Sequence, residues 1–253
     1  MSTGMKTFFQ AVRRCGLAAL WCAASLPLAA FADTSVGNIT YTRGKVFVQA
    51  ASGERHLAVS NAALHNGDTI QTARDAEVVL VMADHQRIYL RGGTLYRIDD
   101  FHYSTEEPAQ SHSITSLLRG GLRVVSGLIG KQGNPDAYQL KTQMATIGIR
   151  GTEWSVLERD SEFERQTGTM ADRPAYSSRM ASDVASESAP SAIRTGENIR
   201  VYHGLIDVRT EIYHERIPEG LGTIITSPRS PIVLLPGDEV QPVTPSDAAS
   251  ACE

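Results

Sequence analysis

Ile147-Gly148-Ile149-Arg150-Gly151-Thr152-Glu153-Trp154-Ser155-Val156-Leu157 is a run of strand-forming residues interrupted twice by glycine, with Arg150 held between Gly148 and Gly151. Glycine inside a strand marks a bulge, a sharp bend or a close backbone approach. The stretch therefore reads as a strand, a kink, and a second strand from Glu153 to Leu157, with Trp154 and Val156 sharing one face. Two roles are open to Arg150. Its guanidinium either pairs bidentately with a carboxylate of a neighbouring strand or turn, Asp68 or Glu153, and fixes a sheet corner, or is presented to a ligand.

Outward from this stretch the pattern stays β. Tyr138, Leu140 and Thr142 alternate with polar residues just before it, the mark of a half-exposed strand. Glu77 to Met82, E-V-V-L-V-M, is a short apolar run that suits a strand buried on both faces. Asn66-Gly67-Asp68 is a strong turn signal, because Asn-Gly supplies the positive φ angles a tight turn needs. Further strands are expected at Ile39 to Thr42, Lys45 to Gln49, Thr69 to Thr72, Arg87 to Arg91, Leu95 to Ile98, Ser113 to Leu118 and Leu122 to Val125. Asp99 to Gln110 reads as a polar break. After the motif come Asn198 to Tyr202, Leu205 to Thr210, Thr223 to Thr226 and Ile232 to Leu235. No stretch has the length and periodicity of an amphipathic helix. A glycine precedes an alternating strand at Gly44, at Gly120-Gly121 and at Gly204, too irregularly for a solenoid. The expected fold is all-β, a jelly-roll-like β-sandwich with a disordered insertion. That insertion, 159–196, is serine-rich and poor in large apolar residues, so it reads as mobile, and 243–253 reads as a disordered tail.

The first 32 residues have a different character. Lys6, Arg13 and Arg14 precede an almost uniformly apolar Cys15 to Ala29, and Ala30-Phe31-Ala32 ends it with a small-x-small site. This is the form of a signal peptide, cleaved before Asp33, and it leaves 33–242 as the β domain. The alternative is a retained anchor, since the apolar stretch is near the lower limit for spanning a bilayer, roughly 17 residues. Losing three bases and no acid takes the formal charge of the 253-residue chain from −4 to −7. That argues against a nucleic-acid partner, which needs clustered Lys and Arg. Only Cys252 lies beyond the leader, so no intramolecular disulfide forms in the mature chain.

Groups that would carry chemistry are dispersed. The histidines, at 56, 65, 85, 102, 112, 203 and 214, show no metal-ligand spacing. Gly127-Leu128-Ile129-Gly130-Lys131 lacks the first glycine of a phosphate loop and any Ser or Thr after the lysine. There is no G-x-S-x-G elbow, and Asp99-Asp100 and Glu106-Glu107 lie in expected loops where solvation accounts for them. No catalytic residue, metal or cofactor is assigned, and the chain reads as a non-enzyme.

The ordered set Gly44 to Val48, Asn66 to Thr72, Val78 to Asp84, Leu118 to Leu122 and Ile147 to Val156 resembles the FecR-type periplasmic domain family. Gly204-Leu-Ile-Asp-Val and Pro236-Gly-Asp-Glu-Val extend the resemblance over nearly everything from Ile39 to Val240. The resemblance implies an all-β domain of jelly-roll-like topology, whose best understood relatives act in iron-dicitrate sensing upstream of a sigma factor. Roughly 14 residues precede the apolar stretch, too few for a folded cytoplasmic domain. The expectation is therefore a stand-alone exported form without an anti-sigma segment, periplasmic or secreted, touching the membrane only through its leader. It would bind a protein or cell-envelope polymer, in signal sensing or, alternatively, as a structural or adhesive module. The motif residues expected to matter are Gly148, Arg150, Gly151, Thr152, Trp154, Asn66, Gly67 and Asp68.

Overall fold

A computed structural model describes residues 34–131, 136–159 and 196–250. The expected leader, the expected insertion apart from its two end residues, and Cys252 lie outside the described residues. The chain is all-β, as the alternation predicts. Its strands are β1 (Gly37–Arg43), β2 (Val46–Gln49), β3 (Arg55–Leu57), β4 (Ala63–Leu64), β5 (Thr69–Thr72), β6 (Glu77–Met82), β7 (Arg87–Leu90) and β8 (Leu95–His102). They continue as β9 (His112–Arg119), β10 (Gly121–Val125), β11 (Tyr138–Lys141), β12 (Thr146–Arg159), β13 (Gly196–Arg209), β14 (His214–Pro218), β15 (Leu221–Ile225) and β16 (Leu235–Pro236). A four-residue helix, α1 (Asp247–Ser250), follows near the end.

The two layers of the expected sandwich are joined by hydrogen bonds into one curled, mixed sheet, a half-barrel, ordered β3-β2-β5-β8-β9-β11-β12-β10-β7-β6-β1-β4. The reason lies in β12 and β13, each 14 residues long. They pair antiparallel from Thr146 opposite Arg209 to Arg159 opposite Gly196. The other edge of β12 meets β11 at Thr146 and Ile147, and β10 from Glu153 to Leu157. One bent ribbon therefore carries the ladder from one layer into the other. β9 and β11 form a parallel pair, and the remaining pairs are antiparallel.

Alternate side chains of both arms meet in a single core. Ile70, Ile98, Leu117, Leu140 and Ile147 come from one arm, and Ile39, Val78, Leu80, Ile88, Leu122 and Trp154 from the other. β6 is buried on both faces, as its apolar run predicts. Its outer residue Val79 packs in a second small cluster with Tyr89, Leu157, Val243 and Ala249. The stretch expected as a disordered tail thus lies, in its described part, as a strap across the outside of the sheet. Two short apolar side chains six residues apart suffice to hold it, a spacing with no strand or helix signature.

Three further details differ from the sequence reading. β8 runs on to His102, because a register shift between Ile98 and Asp100 lets the strand absorb Asp99, which accepts hydrogen bonds from Arg97 and Ser116. Ile232 to Leu234 is irregular, and only Leu235–Pro236 pairs. The exposed β14, His-Glu-Arg-Ile-Pro, carries no apolar alternation and is held by its register with β13.

Candidate functional site

The kink falls where the glycines predict it. Gly151 has φ +63° and Gly204, across the ladder, φ +83°, and the register shifts between Arg150 and Trp154. A Cβ on Gly204 would stand 2.4 Å from the Gly151 carbonyl oxygen, so the two backbones close on each other only without a side chain there. Thr152 is buried and locked to Ser126. Its N–H donates to Ser126 Oγ at 2.8 Å, and its carbonyl accepts from Ser126 N at 2.9 Å and Ser126 Oγ at 2.6 Å. Trp154 fills the core beneath and is fully buried.

Arg150 is exposed and makes no ion pair among the described residues. Neither expected acid reaches it, for separate reasons. Glu153 is taken by Arg123 of β10, whose Nε donates to Oε1 at 2.9 Å and whose Nη2 binds the same oxygen. Asp68 is turned into its own loop, accepting the His65 N–H at 2.9 Å. The strand it leads into, β5, is separated from β12 by β8, β9 and β11 along the sheet. The Asn66-Gly67-Asp68 turn is instead a local brace. Asn66 Nδ2 donates to the Phe101 carbonyl at 3.1 Å and Asn66 Oδ1 accepts the Phe101 N–H at 2.8 Å, as a paired strand residue would. The motif residues thus form two separate structures, not one site.

The clamp at the corner is an aromatic and ionic assembly that spacing alone does not reveal. Arg123 lies over the Tyr202 ring at 4.2 Å from its centroid, with Arg200 at 5.3 Å. His203 bridges loosely to Glu153 at 3.8 Å and Glu219 at 3.6 Å. Beyond the kink, the outer positions of β11 to β14 carry Lys141, Arg150, Arg209 and Arg216, against Asp207 within the strands and Asp136 just before β11, which meets Arg209 Nη1 at 3.2 Å. Asp207 is buried between Arg209 Nε at 3.1 Å and Arg216 Nε at 3.9 Å, with the His214 ring Nε2 at 2.8 Å. Gly148 sits opposite Asp207 and leaves the centre of this face flat.

A second polar locus lies under the strap. Glu77 accepts hydrogen bonds from Arg43 Nε at 2.9 Å, Tyr89 at 2.9 Å, Tyr41 at 3.3 Å and Ser246. Burial acts to raise its carboxyl, but the bonds from Ser246, Tyr89 and Arg43 outweigh it and hold the carboxyl below its ordinary value. Burial and the Glu77 bond push Tyr89 well up. Beside this cluster opens a cleft of about 330 Å³ between Arg43, Arg74, Asp75 and Arg91 on the sheet side and Gln241 to Thr244 of the strap.

Two buried acids lie elsewhere. Asp84 is raised by burial, with its oxygens accepting the N–H groups of Gln86 at 3.0 Å and Ile129 at 3.2 Å. Glu197 is fully buried and pushed up to about 8 by that burial, with Thr142 donating to it at 2.7 Å. Thr142 Oγ1 also receives the N–H groups of Met144 and Ala145, so it closes a turn. Among the described residues no three His, Cys, Asp or Glu side chains are grouped to hold a metal ion, and no helix is long and apolar enough to cross a membrane.

Residues 68–167 match the family model described as FecR protein, a stretch running from Asp68 through the kink. No curated protein matches the chain. Among solved structures, a proposed anti-sigma factor from Parabacteroides distasonis ATCC 8503 is similar with a TM-score of 0.45 at 11% identity. The similarity covers 66% of this chain and 59% of that one. A second structure described in the same words gives 12% identity with the same coverage. A cell surface anchoring domain is similar over 24% of this chain and 82% of its own, with 22% identity and a TM-score of 0.24. The chain thus carries, over 68–167, a FecR-like stretch that begins at Asp68, just before β5, and includes the β12 bend.

Proposed function

We propose that this chain is a non-enzymatic exported binding module, directed by residues 1–32 and released before Asp33 into the periplasm or medium. Its β domain recognises a protein or cell-envelope polymer that presents negative charge. The observation that carries this reading is the exposed Arg150. It sits on a flat outer face where Lys141, Arg209 and Arg216 outnumber Asp207 and Asp136, while Arg123 supplies the structural clamp. A guanidinium so presented forms charge-assisted, bidentate bonds to carboxylate or phosphate. The FecR match over 68–167 supports a regulatory rather than catalytic role.

The test is capture from crosslinked cell envelopes by the mature chain and by Arg150→Ala and Arg216→Ala. The expected result is a partner held by the parent chain, lost from both variants and weakened by salt, because exposed charge pairs are screened over about 10 Å at 0.1 M. Equal capture by all three chains would remove this face from the reading. N-terminal sequencing of exported protein is expected to begin at Asp33.

A further inference from the structure

We infer that the outward face of the β8–β9 hairpin is a binding site for a divalent transition ion of the zinc class, held by His112, Asp100 and His102. The site shares no residue with the Arg150 face or the Arg123 clamp, so the two readings stand or fall separately.

The register builds it. His102 and His112 are opposite each other in the antiparallel β8–β9 pair, with ring centroids 5.9 Å apart. Asp100 lies two residues before His102, and side chains two apart along a strand share a face. The three therefore stand together on the outside of the sheet, while their neighbours Phe101 and Ser113 are buried. A cross-strand pair of this kind has no short linear spacing, which is why the histidines look dispersed in the sequence.

The bonding of His112 calls for a cation. Its Nδ1 lies 2.9 Å from the Gln110 carbonyl oxygen. A carbonyl only accepts, so Nδ1 carries the ring proton and Nε2 of the neutral ring presents a lone pair. That nitrogen is closed off from solvent, makes no hydrogen bond, and stands 3.0 Å from Asp100 Oδ2. Two acceptors so close repel unless positive charge lies beside both. A proton on Nε2 does not answer, because the carboxylate lies off the N–H axis and closes no hydrogen bond. A metal ion does. Zinc ligands sit at about 2.0–2.2 Å, so two on one ion stand about 2.9–3.4 Å apart. The bond from Nδ1 to a carbonyl is the outer contact that fixes the tautomer of a metal-bound histidine.

His102 is the third donor. As the side chains stand two donors meet, and the exposed His102 ring closes on them by rotation about its own side-chain bonds. Two imidazoles and a carboxylate with an open position suit zinc, with copper and nickel next. The loop between the strands favours a cation, since its only charged residues are Glu106 and Glu107. Its ends are tied by Ser111 Oγ, which accepts the Ser104 N–H at 3.0 Å and donates to the Ser104 carbonyl at 3.2 Å. The donors are thus held at the base of a closed loop.

Calorimetric titration with zinc chloride tests this, on the full chain carrying Cys15→Ser/Cys22→Ser/Cys252→Ser so that no thiol competes. Magnesium chloride is the control for a bare carboxylate site. Saturable 1:1 binding of zinc, and none of magnesium, is expected. His112→Ala, His102→Ala and Asp100→Ala should each weaken it about tenfold or more, the scale on which even outer-shell partners count. His203→Ala and His214→Ala should not. The copper-loaded chain should show electron paramagnetic resonance coupling to two nitrogen nuclei, falling to one in His102→Ala and in His112→Ala. Melting curves without metal check that each variant is folded. Absence of saturable zinc binding, equal binding of magnesium, parent-like affinity in any of the three ligand variants, or a copper signal with fewer than two nitrogens would overturn the inference.

Discussion

A guanidinium stabilises a fold only where its counter-charge is held against it, and here the two arginines near the bend divide those conditions. Arg123 is mostly buried, bound to Glu153 and stacked on Tyr202, so Arg123→Ala should cost about 1–2 kcal/mol by denaturant unfolding. Arg150→Ala should stay within about 0.5 kcal/mol of the parent chain, as exposed substitutions without partners do. The reverse ordering would return the clamp to Arg150. Sequence spacing pointed to Arg150 because it lies inside the motif. Arg123 was illegible there, because its position opposite Ser155 and diagonal to Glu153 exists only once the β10–β12 register is set. Glu197 sharpens the point. Its burial lifts the carboxyl from an ordinary 4.5 to about 8, so the fold favours its neutral form. The resulting stability is fully present below pH 4.5 and is lost as pH rises through about 8. Its ladder neighbour Glu158 adds to the shift. Between pH 5 and 8.5 this group should lower the melting temperature of the parent chain, and Glu197→Gln should flatten the fall. Parallel melting curves for the two chains would show that the carboxyl does not titrate in that window.

At the scale of elements, the β12–β13 bend depends on two backbones meeting without side chains. Gly204→Ala combines a left-handed φ with contact against the Gly151 carbonyl and should cost about 2–4 kcal/mol. Gly53→Ala, at φ +89° with nothing within 4 Å of its Cβ, carries the backbone strain alone and should cost about 1–2 kcal/mol. Equal losses in the two melts would mean the close approach is not what shapes the bend. Gly151 stands out in the sequence as an interruption of a strand and Gly204 as a glycine ahead of one, and the turn at Asn66-Gly67 is equally plain. The strap is the counterexample. Val243 and Ala249 are two apolar residues in a polar stretch, and Ser246 gains meaning only from Glu77, far away in the chain. Tertiary contact alone makes that end part of the domain.

Across the whole molecule, alternation and turn chemistry were enough to read an all-β chain, and the buried E-V-V-L-V-M run was legible as a two-sided strand. That β12 serves β11, β10 and β13 at once could not be read, because strand partners are chosen by long-range burial rather than by local pattern. The layers are consequently halves of one ladder, and the ribbon joining them ends with Arg159 paired to Gly196. The chain between those two residues leaves and re-enters one strand spacing apart, about 5 Å. Closing a loop across a fixed gap costs only about 0.6 kcal/mol for each doubling of its length. The ribbon's end is thus a splice port, where sequence can be added, exchanged or shortened without disturbing the curl of the sheet. Replacing residues 160–195 by an Asn-Gly turn should leave cooperative unfolding and a melting temperature within a few degrees of the parent. If so, the position would accept a foreign peptide as readily as the native one, which makes the domain a display scaffold.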